Sequence, residues 1–157
     1  MNVDRFDQHM RDAIDLTGRC PARPFATLIV DMATDAVAAR GWNQAGTSPI
    51  WHGEMDAIRK LFDAGHPVDP RQLALVTTAE PCPMCMTAVL WSGFGCVVYG
   101  TSIPFLRRHG WRQVDIRATQ IAQRGDLGPC DVVGGVLEDQ CNALFEQGPD
   151  RAKLDAQ

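Results

Sequence analysis

The chain has 157 residues, of which 45% are apolar and 22% are charged, and its formal net charge is −4. This length and composition predict one globular domain over residues 1–157, with a core from about 3 to 147 and a polar tail over 148–157. The charge argues against a nucleic-acid partner, because such partners usually require a basic surface. The apolar runs are too short to span a membrane, and the polar N-terminal stretch does not resemble a secretory leader. We therefore expect a cytoplasmic protein.

Apolar spacing and turn residues predict alternating helices and strands along the chain. Glycine and proline at Gly18 and at Gly65-His66-Pro67 are stop signals for the first two helices. In chain order the predicted elements are a helix over 3–17, strands over 25–30 and 36–42, a helix over 52–64, a strand over 73–78, a helix over 83–92, a strand over 97–99, helical segments around 105–109 and 117–124, a strand over 132–136 and a helix over 138–147.

This alternation predicts an α/β fold, a three-layer α/β/α sandwich in which helices cover both faces of a mixed five-stranded sheet. About thirty residues, with helix among them, separate the last two predicted strands. A crossover of that length allows the last strand to lie parallel to its neighbour, whereas a tight hairpin would force antiparallel pairing.

Two short motifs contain candidate metal ligands. His-Gly-Glu at residues 52–54 opens the second predicted helix, and Pro-Cys-Pro-Met-Cys at 81–85 follows a buried strand. One imidazole and two thiolates, from His52, Cys82 and Cys85, complete three positions of a tetrahedral zinc and leave the fourth open for water. Glu54 is then a proton carrier for that water.

The position of these motifs within their helices can also be predicted. Side chains at i and i+2 do not share a face inside a helix, so His52 and Glu54 are expected in its first turn, with the helix beginning within about two residues of His52. Cys82 and Cys85 are three residues apart and are expected to share a face near the start of the next helix, which Pro83 favours.

Together the two motifs resemble those of the cytidine/deoxycytidylate deaminase superfamily, in the branch that includes guanine deaminase, fungal-type cytosine deaminase and tRNA adenosine deaminase. The resemblance covers about residues 24–145. It implies the cytidine deaminase-like fold, one Zn²⁺ per subunit held by His52, Cys82 and Cys85, Glu54 as the catalytic residue, and a homodimer.

The activity implied by the resemblance is the hydrolytic release of ammonia from a small nucleobase or nucleoside, with a guanine-like or cytosine-like substrate favoured. A tRNA-specific adenosine deaminase is the alternative, because it uses the same metal site. The alternative to a deaminase is a zinc-binding or thiol redox protein that uses Cys82 and Cys85. Cys-x-x-Cys after a strand also occurs in thioredoxin-like motifs.

Substrate contacts are also implied by the resemblance. Asn43 ends a Gly-x-Asn motif and is expected to hydrogen-bond the base. Gly53 is expected to bring a backbone N–H close to the base, with flexibility at the helix start as the alternative reason for a glycine. Phe25 is expected to line the pocket, although the family's Gly-Ala after this Phe is Ala-Thr here. The backbone carbonyl of Glu80 is expected to accept a hydrogen bond from the leaving amine.

The aromatic side chain that closes the pocket is harder to assign. Nothing aromatic follows Phe145, so Phe105 and Trp111 are the expected cap, with Trp91 and His109 as further candidates. Trp91 on a helix suits the core equally well.

Two other groups of residues have weaker signals. A cation-rich stretch over residues 107–124 is interpreted as a solvated helix face, with a clamp on a phosphate or carboxylate as the alternative. Cys96 lies in an apolar strand and is expected in the core. No function is assigned to the four cysteines without a partner at ligand spacing, which are Cys20, Cys96, Cys130 and Cys141.

Overall fold

The computed structural model describes residues 3–65 and 67–150, so His66 and the predicted tail beyond 150 lie outside the described residues. The α-helices are α1 (Asp7–Leu16), α2 (Gly53–Asp63), α3 (Pro83–Trp91), α4 (Ile103–Arg108), α5 (Ala118–Arg124) and α6 (Glu138–Ala143). The strands are β1 (Ala26–Asp31), β2 (Val37–Trp42), β3 (Leu73–Ala79), β4 (Cys96–Thr101) and β5 (Asp131–Gly134).

Every predicted helix and strand is present, and the largest difference is at the last helix. It ends at Ala143 rather than at about residue 147, and the residues that follow form turns. The first predicted helix is divided, because a 3-10 helix at Val3–Phe6 precedes α1. Within the described residues, each helix is too short or too polar to cross a lipid bilayer.

The five strands form one mixed sheet in the order β2-β1-β3-β4-β5. Strand β1 is antiparallel to both β2 and β3, whereas β3, β4 and β5 are parallel to one another. Helices α4 and α5 lie in the connection from β4 to β5, which gives the chain the length to return to the same end of the sheet. The predicted parallel last strand and the predicted fold are therefore confirmed.

Alternate residues of the central strands pack into separate cores on the two faces of the sheet, as the two-residue period of a strand requires. In β1, Ile29 contributes to one core, while Leu28 and Val30 contribute to the other. The Ile29 core also contains residues of α2 and α3, namely Ala57, Ile58, Leu61, Met86, Val89 and Leu90. The other core contains residues of α1 and α6, namely Met10, Ala13 and Cys141. The layers are thus helix, sheet and helix.

The beginning of α2 lies directly on the ends of β1 and β2, and two glycines allow this approach. A Cβ on Gly41 would lie 2.2 Å from the carbonyl oxygen of Gly53 and 2.4 Å from the backbone nitrogen of Ala57. A Cβ on Gly53 would lie 2.7 Å from the carbonyl oxygen of Phe25. Close packing against Phe25 therefore gives a reason for the glycine between His52 and Glu54.

We expect Gly41→Ala to lower the free energy of unfolding by about 2 kcal/mol, because the added methyl group must push α2 away from β2. Urea denaturation followed by circular dichroism measures this change. Gly18→Ala is the matched control, since a Cβ there would have nothing within 4 Å. Equal stability of the two variants would show that the approach of α2 to β2 is not tight.

Candidate active site and metal centre

His52 and Glu54 lie at the N-terminus of α2. His52 is the N-cap residue, with ψ of 164°, and the helix begins at Gly53, so the predicted helix start is confirmed. The His52 carbonyl accepts the first helical hydrogen bond, from the Asp56 backbone N–H at 2.9 Å. Both side chains therefore lie at the open start of the helix. Residues at i and i+2 can reach the same site there, which they could not do in the middle of a helix.

Cys82 and Cys85 lie at the N-terminus of α3, beside the end of β3. Cys82 is the N-cap residue, with ψ of 165°, and Pro83 occupies the first helical position, where its missing N–H costs nothing. The Cys82 carbonyl accepts a hydrogen bond from the Met86 backbone N–H at 2.8 Å. The two thiols sit at the positive end of the helix dipole, which favours the thiolate that a metal requires.

The three predicted ligands converge on one point. His52 Nδ1 lies 3.7 Å from Cys82 Sγ and 3.5 Å from Cys85 Sγ, and all three ligand atoms lie within 4.8 Å of one another. A tetrahedral zinc with ordinary Zn–N and Zn–S bonds holds such atoms about 3.6 Å apart. The donor set and its spacing therefore fit Zn²⁺, and no side chain has to move far to bind it.

The charges of the three groups also suit a metal. Hydrogen bonds from Cys85 and then His52 lower the pKa of Cys82 to about 4, despite its partial burial. The hydrogen bond between the two thiols, together with burial, raises the pKa of Cys85 well above its usual value. The hydrogen bond to Cys82 raises the pKa of His52. Without metal the cluster therefore keeps protons that metal binding must displace.

Glu54 lies beside this cluster and is only 5% exposed. Burial raises its pKa to about 7, and the negative charge of Cys82 acts in the same direction. A carboxyl group that titrates near neutral pH can both accept and release a proton during a reaction. This is the property that the sequence analysis assigned to Glu54.

These groups lie in a cavity of about 310 Å³. Its lining contains four of the predicted substrate residues, Phe25, Asn43, Glu80 and Trp111, together with the cluster residues His52, Glu54 and Cys82. Gly53 and Phe105 are not among the lining residues. Five other lining residues had no predicted contact with the base, and these are Arg23, Ala45, Arg112, Gln113 and Pro149.

Comparison with known proteins is consistent with this geometry. Residues 4–101 match the family model of the cytidine and deoxycytidylate deaminase zinc-binding region. The chain belongs to this family. The chain is 27% identical to a probable cytosine deaminase of Schizosaccharomyces pombe, over 84% of its own length and 85% of the relative's. A guanine deaminase of Bacillus subtilis is 37% identical over 48% of this chain and 49% of its own.

Solved structures share the fold. A mutant of NE0047 in complex with 8-azaguanine has a TM-score of 0.75 and 25% identity, covering 88% of this chain and 81% of its own. A structure from work on A-to-I editing by tRNA deaminases has a TM-score of 0.71 and 20% identity, covering 88% of this chain and 99% of its own. Family membership identifies the His/Cys/Cys cluster as belonging to a zinc-binding deaminase domain.

Two aromatic rings of the cavity lining, Trp111 and Phe25, pack on a third ring, the fully buried Phe145, behind them. Trp111 and Phe25 meet edge to face at 5.4 Å, and each ring also packs on Phe145, at 5.5 Å and 4.9 Å respectively. The Trp111 Nε1–H donates to the Phe145 carbonyl at 2.9 Å, which fixes the indole in place. Trp111 therefore lines the cavity, and its role as the aromatic cap stays a prediction.

The other aromatic candidates are not among the residues that line the cavity. The Phe105 ring stacks on His109 at 4.1 Å, because α4 begins at Ile103 and places these residues one turn apart. Trp91 is 74% exposed on α3 and belongs neither to the cavity nor to the core. Phe105 also packs against the buried cluster that contains Trp111 and Phe145, so it lies behind the cavity lining and its contact with the substrate stays a prediction.

Asn43 lies in the cavity with its side chain held by the backbone. Its Oδ1 accepts a hydrogen bond from the Ala45 N–H at 3.0 Å, and its own backbone N–H donates to the Phe25 carbonyl at 2.9 Å. This turn uses the amide oxygen, so the Nδ2 donors are the part of the side chain suited to a carbonyl or ring nitrogen of a base.

The Glu80 carboxylate is bound within the protein and does not act in the cavity. It accepts hydrogen bonds of 2.8 Å from Arg117 Nε and from the backbone N–H groups of Ile103 and Ala118, at the starts of α4 and α5. Arg117 also donates to the Tyr99 hydroxyl at 2.9 Å. The predicted role of the Glu80 backbone carbonyl is compatible with this arrangement, because the side chain anchors the residue.

The cation-rich stretch does not form one solvated helix face. Arg117 binds Glu80, Arg107 forms an ion pair with Asp115, and Arg112 lines the cavity. The cysteines outside the cluster are free thiols, and Cys96 is fully buried as expected. A partner for Arg117 was not visible in the sequence, since Glu80 precedes it by 37 residues.

We expect Glu80→Gln to lower the free energy of unfolding by about 3 kcal/mol while leaving the zinc content unchanged. The amide would present N–H donors to a site that already contains N–H donors, leaving buried groups unpaired. Thermal denaturation and elemental analysis measure the two quantities. Asp115→Asn, which removes an exposed ion pair, is the control and should change stability by less than about 0.5 kcal/mol. Loss of zinc with unchanged stability would instead place the carboxylate at the metal.

Proposed function

We propose that this protein is a zinc-dependent hydrolytic deaminase that releases ammonia from a small nucleobase or nucleoside. The observation that carries this proposal is the convergence of His52, Cys82 and Cys85 at zinc-binding distances beside the buried Glu54, at one cavity. Family membership supports the chemistry, which is hydrolysis of a carbon–nitrogen bond. A purely redox role for the thiols has no comparable support.

His52, Cys82 and Cys85 would hold the zinc, which would lower the pKa of a bound water molecule. Glu54 would accept a proton from this water and pass it to a ring nitrogen of the base as oxygen bonds to the amine-bearing carbon. It would then take the proton of the new hydroxyl group and deliver it to the amine as the carbon–nitrogen bond breaks. The products are ammonia and a ring carbonyl, so the overall reaction consumes one water.

The remaining cavity residues hold the base. The Asn43 amide donates to the base edge, and the Glu80 backbone carbonyl accepts from the amine that leaves. The aromatic wall of Trp111 and Phe25 suits a flat heterocycle, as base stacking on aromatic rings contributes roughly 1 to 3 kcal/mol in nucleic-acid binders. The relatives named cytosine deaminase and guanine deaminase support one of these bases or a close analogue as substrate.

A tRNA adenosine deaminase is the alternative, and one observation favours it. Arg23 and Arg112 both line the cavity, where guanidinium groups suit the phosphates that flank a splayed nucleotide. Ammonia release should be assayed on guanine, cytosine, adenine, their nucleosides and an anticodon stem-loop RNA. Turnover of the RNA alone, with binding that weakens as salt rises, would replace the free-base assignment.

We expect Glu54→Gln to retain zinc and to lower turnover on the preferred substrate by a factor of roughly 100 to 10,000, because the amide cannot carry the proton. Ammonia release and elemental analysis measure the two properties on the same samples. Glu146→Gln, an exposed residue, is the matched control and should behave as the parent protein. Full turnover in Glu54→Gln would remove this residue from the mechanism.

We also propose that the protein is a cytoplasmic homodimer. All six cysteines are free thiols, which suits a reducing compartment. Helix α3 is apolar on every side, and Met84 and Trp91, two turns apart on it, are 36% and 74% exposed. An exposed apolar helix face of this kind is typical of a protein interface.

We expect Trp91→Ser to shift the protein from dimer to monomer, because it removes the largest exposed apolar side chain of α3. Sedimentation velocity at several concentrations measures the change. Val114→Ser, at a residue that is 57% exposed outside this helix, is the control and should leave the dimer intact. A monomeric parent protein, or an unaffected dimer in Trp91→Ser, would exclude α3 as the interface.

A further inference from the structure

Asp56 is a buried carboxylate that binds three separate segments of the chain. Its side chain is 0% exposed, and it lies on α2 outside the cavity lining. It accepts hydrogen bonds from the Trp42 backbone N–H at 3.3 Å, from Trp51 Nε1 at 3.1 Å and from Lys60 Nζ at 2.6 Å. The end of β2, the loop that follows it and the body of α2 are thus bound to one group.

Two of the partners of Asp56 are adjacent in sequence to active-site residues. Trp42 immediately precedes Asn43, and Trp51 immediately precedes His52. The loop between them is closed by a hydrogen bond from the Gln44 backbone N–H to the Trp51 carbonyl at 2.9 Å. Both ends of this loop are therefore held against the helix that carries Glu54.

The site requires a carboxylate rather than an amide. All its neighbours are donors, and two oxygens without protons can accept from all of them. An asparagine would turn an NH₂ group toward the backbone N–H of Trp42 or the indole N–H of Trp51. The buried charge is balanced by Lys60, whose ammonium also lies 3.8 Å from the centre of the Trp42 ring, and by Arg59 at 3.7 Å.

We propose that Asp56 is a positioning residue for the deaminase site, which fixes the spacing of Asn43, His52 and Glu54 by holding both ends of the loop on α2. The expected loss of turnover rests on the proposed function, whereas the expected effect on the loop does not. Asp56 touches neither the base nor the metal ligands' side chains, so its effect passes through the backbone of Trp42 and the indole of Trp51.

The test compares Asp56→Asn with Asp63→Asn. Asp63 is an exposed aspartate of the same helix that pairs at 3.1 Å with Arg59, the arginine that also lies 3.7 Å from Asp56, so its variant controls for the loss of a helical ion pair with that arginine. At a temperature where both variants are fully folded, we expect Asp56→Asn to lower kcat by about 100-fold, as misplacement of reacting groups does, with a smaller change in KM. Asp63→Asn should keep the parent kcat.

A second variant tests whether the effect passes through the indole. Trp51→Phe keeps an aromatic ring but removes the Nε1 donor, so it should reproduce part of the Asp56→Asn loss. In the double variant the two losses should be less than additive, because they break the same contact. Additive losses would place Asp56 and Trp51 in independent roles and overturn the proposal.

Amide hydrogen exchange gives a readout that does not depend on turnover. Asp56→Asn should accelerate exchange at the amides of Asn43 to His52, while β3 stays as protected as in the parent protein. Unchanged exchange in the loop, or kcat equal to that of Asp63→Asn, would overturn the proposal. If the parent protein deaminates nothing in the substrate panel, the proposed function fails, and loop exchange still decides whether Asp56 holds the loop.

Discussion

The site depends on two helix N-termini that meet at one edge of the sheet. His52 caps α2 and Cys82 caps α3, both with extended backbone, and the third ligand, Cys85, follows within the first turn of α3. A helix N-terminus favours thiolates and exposes its first-turn side chains. The ligands can converge only because α2 begins in direct contact with the ends of β1 and β2, where Gly41 and Gly53 leave no side chain in the way.

Three of the residues that line the cavity are fixed by hydrogen bonds to other parts of the protein. Asn43 is held by the Ala45 backbone, Trp111 by the Phe145 carbonyl, and Glu80 by Arg117 and two helix N-termini. Preorganisation of this kind removes the cost of arranging groups when the substrate binds. The rings of Phe25, Trp111 and Phe145 come from separate parts of the chain and are held in the same way, because each ring packs on the other two.

The sequence predicted the features that local spacing encodes. Periodicity located the helices and strands, and the i and i+2 spacing of His52 and Glu54 required a helix start that the structure confirms. Long-range pairs were not predictable, because nothing near Arg117 in sequence indicates that it reaches Glu80. Trp91 carries no local signal that separates an exposed aromatic on a helix from a buried one, and only the packing of the layers decides it.

Three buried carboxylates lie close to the two motifs, and their surroundings separate their roles. Asp56 and Glu80 are each paired with a cation and with N–H donors, and these hydrogen bonds hold separate segments of the chain together. Glu54 instead faces the thiol cluster, and burial raises its pKa to about 7. Both oxygens of Asp56 and of Glu80 accept hydrogen bonds from donors within the protein. Among these three carboxylates, Glu54 is the one that lies beside the thiols, where the proposed reaction requires a proton carrier.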